Sequence, residues 1–100
     1  MEKETEQQFY TARALSDRLR FFEDDLFLIR NDAEISNDTD VVEEAVSIMA
    51  KITELQEQFV DFECDYLKTN KIDCEELNDL VQEMKWWFDE TSGFLDKHEN

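Results

Sequence analysis

The chain contains no proline and a single glycine, Gly93, in 100 residues. An all-β domain of this size needs turn formers at every reversal, so their scarcity leaves helices as the expected elements. Cysteine is scarce too. Cys64 and Cys74 show no CxxC spacing, which argues against a disulfide frame or zinc knuckle and reads as free thiols in a reducing compartment. His98 is the sole histidine, so a histidine-based triad and a dimetal site built on Glu-x-x-His pairs both lack their residues. There is no Gly-rich phosphate loop. No apolar run reaches the roughly 18 uncharged residues of a membrane span, and the acidic N-terminus has neither the basic nor the apolar region of a signal peptide. The expected location is the cytoplasm, that of the host if the source is viral.

Positive charge is the other shortage. Ten Lys and Arg stand against 27 Asp and Glu, for a formal net charge of −17. All four arginines, Arg13, Arg18, Arg20 and Arg30, fall in the first 30 residues, and residues 31–40 carry four acids and no base. Self-repulsion on this scale works against a compact state. It also argues against direct binding to nucleic acid or to an anionic membrane, and makes a basic protein the natural partner. With 41% apolar residues and 12% aromatics, the chain nonetheless has enough to build a core, unlike a disordered acidic tail.

What is present is helical periodicity. Val41, Ala45, Ile48, Ile52, Leu55, Phe59, Phe62 and Tyr66 recur at alternating spacings of four and three, which puts all eight on one face of a helix over 40–68. Such a stripe is too apolar to face water, so the flanking segments must cover it. Ala12, Leu15, Leu19, Phe22, Leu26 and Ile29 give the same pattern in a first helix over 2–30. Leu77, Leu80, Val81, Met84, Trp87, Phe88, Thr91 and Leu95 give it in a third over 74–92. The polar stretch 31–39 reads as a loop of turn formers, followed by Asp40 and Glu43 as a capping box. Asp73 and Glu76 form a second box, with Ile72 placed to staple onto Leu77. Gly93 is expected to loosen the last turn of helix 3. The predicted fold is all-α: an elongated antiparallel bundle of three long amphipathic helices forming one domain over 1–100.

Three features lie off the core stripes. Tyr10, Phe21 and Leu28 project within about 20° of one another opposite the core face of helix 1. That second apolar line offers self-association as a homodimer, or no more than tolerated surface residues. Gln56 and Glu63 interrupt the apolar face of helix 2, and Glu63 must find a base or stay wet. Trp86 points away from the core of helix 3 and is ringed by Glu75, Asp79, Glu83, Asp89 and Glu90. A large aromatic among carboxylates is the expected partner-binding surface.

Glu54-Leu-Gln-Glu57 and Glu76-Leu-Asn-Asp79 are similar to the ExxE and ExxD pairs with which all-α nucleotide pyrophosphohydrolases hold magnesium. Such pairs arise easily among 27 acids, no bases lie nearby to grip a triphosphate, and solvated helix faces explain them as well. The sequence therefore supports a non-enzyme without a cofactor or bound metal. The leading reading is a small acidic inhibitor whose carboxylates imitate nucleic-acid phosphates and block the basic groove of a nuclease or other nucleic-acid-binding protein. Immunity proteins and the anti-CRISPR and anti-restriction proteins of phage counter-defence are functional analogues of this kind. The alternative is a helical adaptor or assembly subunit that binds through coiled-coil-like faces.

Overall fold

The computed structural model describes residues 3–98 and contains three helices: α1 (Lys3–Ile35), α2 (Thr39–Thr69) and α3 (Cys74–His98). At 1.5 Å per residue the 33 residues of α1 span about 50 Å, which matches the 50 × 21 × 17 Å envelope of the bundle. Arg13 meets Glu63 and Gln56 meets the carbonyl of Ser16, so α1 and α2 run antiparallel. Gln8 meets Asn78 and Phe22 meets Phe88, so α3 returns alongside α1 in an up-down-up arrangement. The three-helix all-α bundle expected from the periodicity is present.

The core follows the three stripes. Leu19, Leu26, Ile52, Leu55, Leu77, Val81 and Met84 are fully buried, and Phe22, Val41, Phe62, Trp87 and Phe88 pack half-buried around them. The packing is uneven: α1 lies against both neighbours along its length, whereas α2 and α3 approach each other only sparingly. Helix 1 is thus the shared wall, and the α2–α3 side is partly open.

Both internal boundaries of the first connection differ from the sequence reading. Residues 31–35 are helical, not loop, because Ala33 falls four residues after Ile29 and is buried against the core. The turn is confined to residues 36–38. Asn37 adopts the left-handed conformation (φ 60°), its N–H donates to the carbonyl of Glu34, and that of Asp38 donates to the carbonyl of Ala33. This pair of bonds is a Schellman motif, with asparagine in the position that glycine usually takes. Asn70 ends α2 in the same conformation (φ 55°) with its N–H on the Tyr66 carbonyl. Two asparagines thus supply the left-handed backbone of a chain with one glycine. The N-cap of α2 is Asp38, which accepts from the Val41 N–H at 3.4 Å. The Asp40–Glu43 box does not form, since Asp40 already lies inside the first turn.

The N-cap half of the second box is as expected: the Asp73 carboxylate accepts from the N–H groups of Glu75 and Glu76 at 3.1 Å each, and Ile72 packs against the core, but among the described residues the return bond from the Asp73 N–H to the Glu76 carboxylate is not made. Helix 3 continues past residue 92 to His98 because Phe94 and Leu95 prolong the buried stripe. One exposed glycine costs too little to stop it. His98 stacks on Phe94 with centroids 4.6 Å apart. The start expected at Glu2 and the tail residues Glu99 and Asn100 lie outside the described residues.

Three substitutions test this packing. Ile52→Asp places an unpaired charge at a position with no solvent exposure, and should unfold a domain of roughly 5–15 kcal/mol total stability, as loss of helical circular dichroism. The Thr91 hydroxyl is fully buried with no hydrogen-bond partner among the described residues. Thr91→Val should therefore stabilise by about 1–3 kcal/mol. A Cβ on Gly93 meets nothing within 4 Å and its φ is not positive, so Gly93→Ala should add about 0.5–1 kcal/mol. Thermal melts check both: each kcal/mol raises Tm by about 4–8 °C in a domain of this size.

Candidate protein-binding surface

The partial separation of α2 and α3 leaves a groove of about 350 Å³ lined by Gln58, Asp61, Phe62 and Asp65 from α2 and by Glu76, Asp79, Leu80 and Glu83 from α3. Its apolar floor is Phe62 and Leu80, the edges of the two core stripes. Its rim is acidic because the next positions outward on each helix are carboxylates at spacings of three and four: Asp61 and Asp65 on one side, Glu76, Asp79 and Glu83 on the other.

One rim acid, Glu83, is paired with a base that does not itself line the groove. The Lys51 ammonium lies 2.8 Å from Glu83 and 3.4 Å from Glu54, and its bond to Glu83, against some loss of hydration, raises its pKa above the ordinary lysine range. Among the described residues Asp61, Asp65, Glu76 and Asp79 have no basic partner within 4 Å. Elsewhere Arg13 bonds to Glu63 at 3.0 Å and lies over the Phe9 ring at 5.4 Å. The expected acid on the apolar face of α2 therefore does find a base. Gln56 is satisfied in the same way, donating to the Ser16 carbonyl at 3.3 Å.

The five acidic residues expected around Trp86 do not share one face with it. Trp86 is 55% exposed and stacks edge-on against half-buried Trp87, with centroids 4.9 Å apart. Asp79 and Glu83 turn to the α2–α3 groove, whereas Glu75 lines a second, polar groove between α3 and α1 with Gln8, Asn78 and Lys85. Asp89 and Glu90 are exposed on the outer surface. Glu83 is committed to Lys51. The groove residues that sequence reasoning left out as binding residues are Gln58, Asp61, Phe62, Asp65, Glu76 and Leu80. Their signal is the row 51, 54, 58, 61, 65 beside the core stripe of α2, whose facing toward α3 requires the handedness of the bundle.

The two ExxE-like pairs are likewise separated. Glu54 is bonded to Lys51 and Gln58, and Glu57 lines a shallow groove with Val60 and Asp61, while Glu76 and Asp79 border the α2–α3 groove. Among the described residues no three Asp, Glu, His or Cys side chains are grouped closely enough to hold a metal ion. No helix among them is long and apolar enough to cross a membrane.

On α1, Tyr10, Phe21 and Leu28 are 58%, 77% and 60% exposed. The extension of the helix adds Ile35, 81% exposed and seven residues beyond Leu28. Comparison with protein-family models, curated proteins and solved structures gave no match.

The Lys51 bridge carries a testable pH signature. A raised pKa in the folded state means that its stabilisation is complete below the unfolded-state lysine pKa and is lost as pH rises through the folded one. The Tm difference between the parent and Lys51→Gln should stay constant across neutral pH and shrink only above the ordinary lysine range. At neutral pH it should correspond to less than about 1 kcal/mol and fall with added salt, because the pair is partly exposed.

Proposed function

We propose that this protein is an acidic inhibitor that occupies the basic nucleic-acid-binding surface of another protein. The observation that carries the reading is linear charge density. Without Glu2 and Glu99 the described residues hold a net charge of about −15 along a 50 Å axis, or one net charge per about 3.3 Å. One strand of duplex DNA carries a phosphate per about 3.4 Å. A rod with that density presents a basic groove with a field like that of a nucleic-acid strand. Its carboxylates set association rate and salt dependence. Exposed Trp86 supplies a contact that loses water on binding. The target class is a nuclease, a CRISPR or restriction effector, or a related nucleic-acid-binding protein.

A second reading rests on the α1 surface. Phe21, Leu28 and Ile35 stand at intervals of seven on one exposed line, the spacing of a coiled-coil seam. This reading makes the protein an assembly subunit, self-paired or joined to another helix.

Affinity capture from the native host, or from a bacterium carrying candidate nucleases, separates the two. The inhibitor reading expects recovery of a basic nucleic-acid-binding protein that salt releases steeply, and a loss of affinity of about 2 kcal/mol in Trp86→Ala. Salt-insensitive recovery of a neutral or acidic helical partner would overturn it in favour of the assembly subunit. Sedimentation adds a direct check: the assembly reading expects a concentration-dependent dimer that Phe21→Glu abolishes, and a monomer at all concentrations for parent and variant removes self-pairing.

A further inference from the structure

We infer that the outer face of α1 is covered by α1 of a second copy of the chain, running antiparallel about a two-fold axis that passes beside Phe21. The inference rests on the self-pairing arm of the assembly reading above and adds its orientation and register.

Charge selects this face for a copy. Helix α1 carries five bases against eight acids, α2 two against eight, and α3 two against seven. A copy seated on α2 or α3 sets acid against acid, whereas α1 has bases enough to answer its own acids.

Two residues on α1 are denied an ion pair by their own helix. The positions three and four away from Arg18 are Ala14, Leu15, Phe21 and Phe22, and those from Asp25 are Phe21, Phe22, Leu28 and Ile29. All are apolar, so neither side chain has the neighbour that adjacent turns of a helix usually supply. Among the described residues neither lies within 4 Å of an opposite charge on another helix. Arg18 is exposed and Asp25 half-buried.

These two stand seven apart on one flank of the exposed line of Phe21, Leu28 and Ile35. In an antiparallel two-fold pair each flank meets the same flank of the copy. Arg18 of each chain therefore comes level with Asp25 of the other when the axis falls between residues 21 and 22. That register brings the two Phe21 rings together at the axis and sets Leu28 over the small, exposed Ala14 of the copy. On the other flank it brings Arg20 nearly level with Asp24 of the copy, again a base and an acid with no ion pair within 4 Å in the fold. Alternatives lose this match: an axis beside Leu28 brings Asp25 to Asp32, and a parallel pair brings Asp25 to Asp24.

Sedimentation equilibrium of the full chain up to about 1 mM should show monomer and dimer. Arg18→Glu should weaken the dimer about tenfold, since the two-fold repeats the loss at both contacts. Lys68→Glu makes the same charge change at an exposed position of α2 and should cost less than about threefold. Arg18→Glu/Asp25→Arg exchanges the charges and should return affinity to within about threefold of the parent. Orientation is read by cysteine cross-linking with copper phenanthroline in a Cys64→Ser/Cys74→Ser background. Ala14→Cys and Leu28→Cys should link when mixed and not when alone.

A monomer at every concentration would overturn the inference and self-pairing together, leaving the assembly reading only a different helix as partner. A dimer that Arg18→Glu weakens no more than Lys68→Glu, or that a helical exchange variant fails to restore, would overturn the register and leave self-pairing in place. Linking of each cysteine variant with itself but not with the other would overturn the antiparallel orientation in the same way. Should the exchange variant lose its helicity, Arg18→Glu and the cross-links still decide.

Discussion

The apolar stripe of α1 is the interaction on which the rest of the structure depends. It runs from Phe9 through Leu19 and Leu26 to Ala33 and serves as the surface against which both other helices pack. Because α2 and α3 each make most of their helix–helix contacts with α1, they touch one another little. Their outer edges remain open, and a groove floored by Phe62 and Leu80 is the direct result. In a bundle carrying so much negative charge this division is also electrostatically sensible. The four arginines all lie on α1, so each acidic helix packs beside the least acidic one, and Arg13 reaches across to Glu63. Where α2 and α3 do face each other, a single lysine, Lys51, stands between their carboxylates.

The sequence carried the helices and their core faces plainly, since spacings of three and four over eight positions leave few other arrangements. Its errors fall where local chemistry competes with a long stripe. Residues 31–35 look like a turn because Asn31, Asp32 and Glu34 are polar, yet Ala33 alone extends the buried face by one turn and the backbone follows it. Gly93 likewise marks an ending by propensity, and Phe94 and Leu95 override it by burial. The cap of α2 is displaced by two residues for the same reason: two aspartates flank Thr39, and the one chosen depends on where the Schellman turn of α1 delivers the chain.

The candidate surface was legible only in part. That helix 3 carries an exposed tryptophan among acids can be read from one helical wheel. That Asp79 and Glu83 face α2 while Glu75 faces α1 cannot, because a core stripe does not reveal whether the bundle turns left or right. The row of Lys51, Gln58 and Asp65 becomes meaningful only when it is known to lie opposite Glu83 and Glu76. Grooves belong to pairs of helices, and periodicity describes helices singly.

Charge density along the rod and an exposed Trp86 are the observations behind the proposal that the protein competes with nucleic acid for its target. The most direct measurement is a competition on the captured partner: fluorescent single-stranded or duplex nucleic acid bound to the partner is titrated with this protein, and the complexes are separated by size. Mutually exclusive binding is predicted, with nucleic acid released in proportion to the protein bound and no species containing all three. A stable ternary complex, with the nucleic acid still held at its original affinity, would contradict the account.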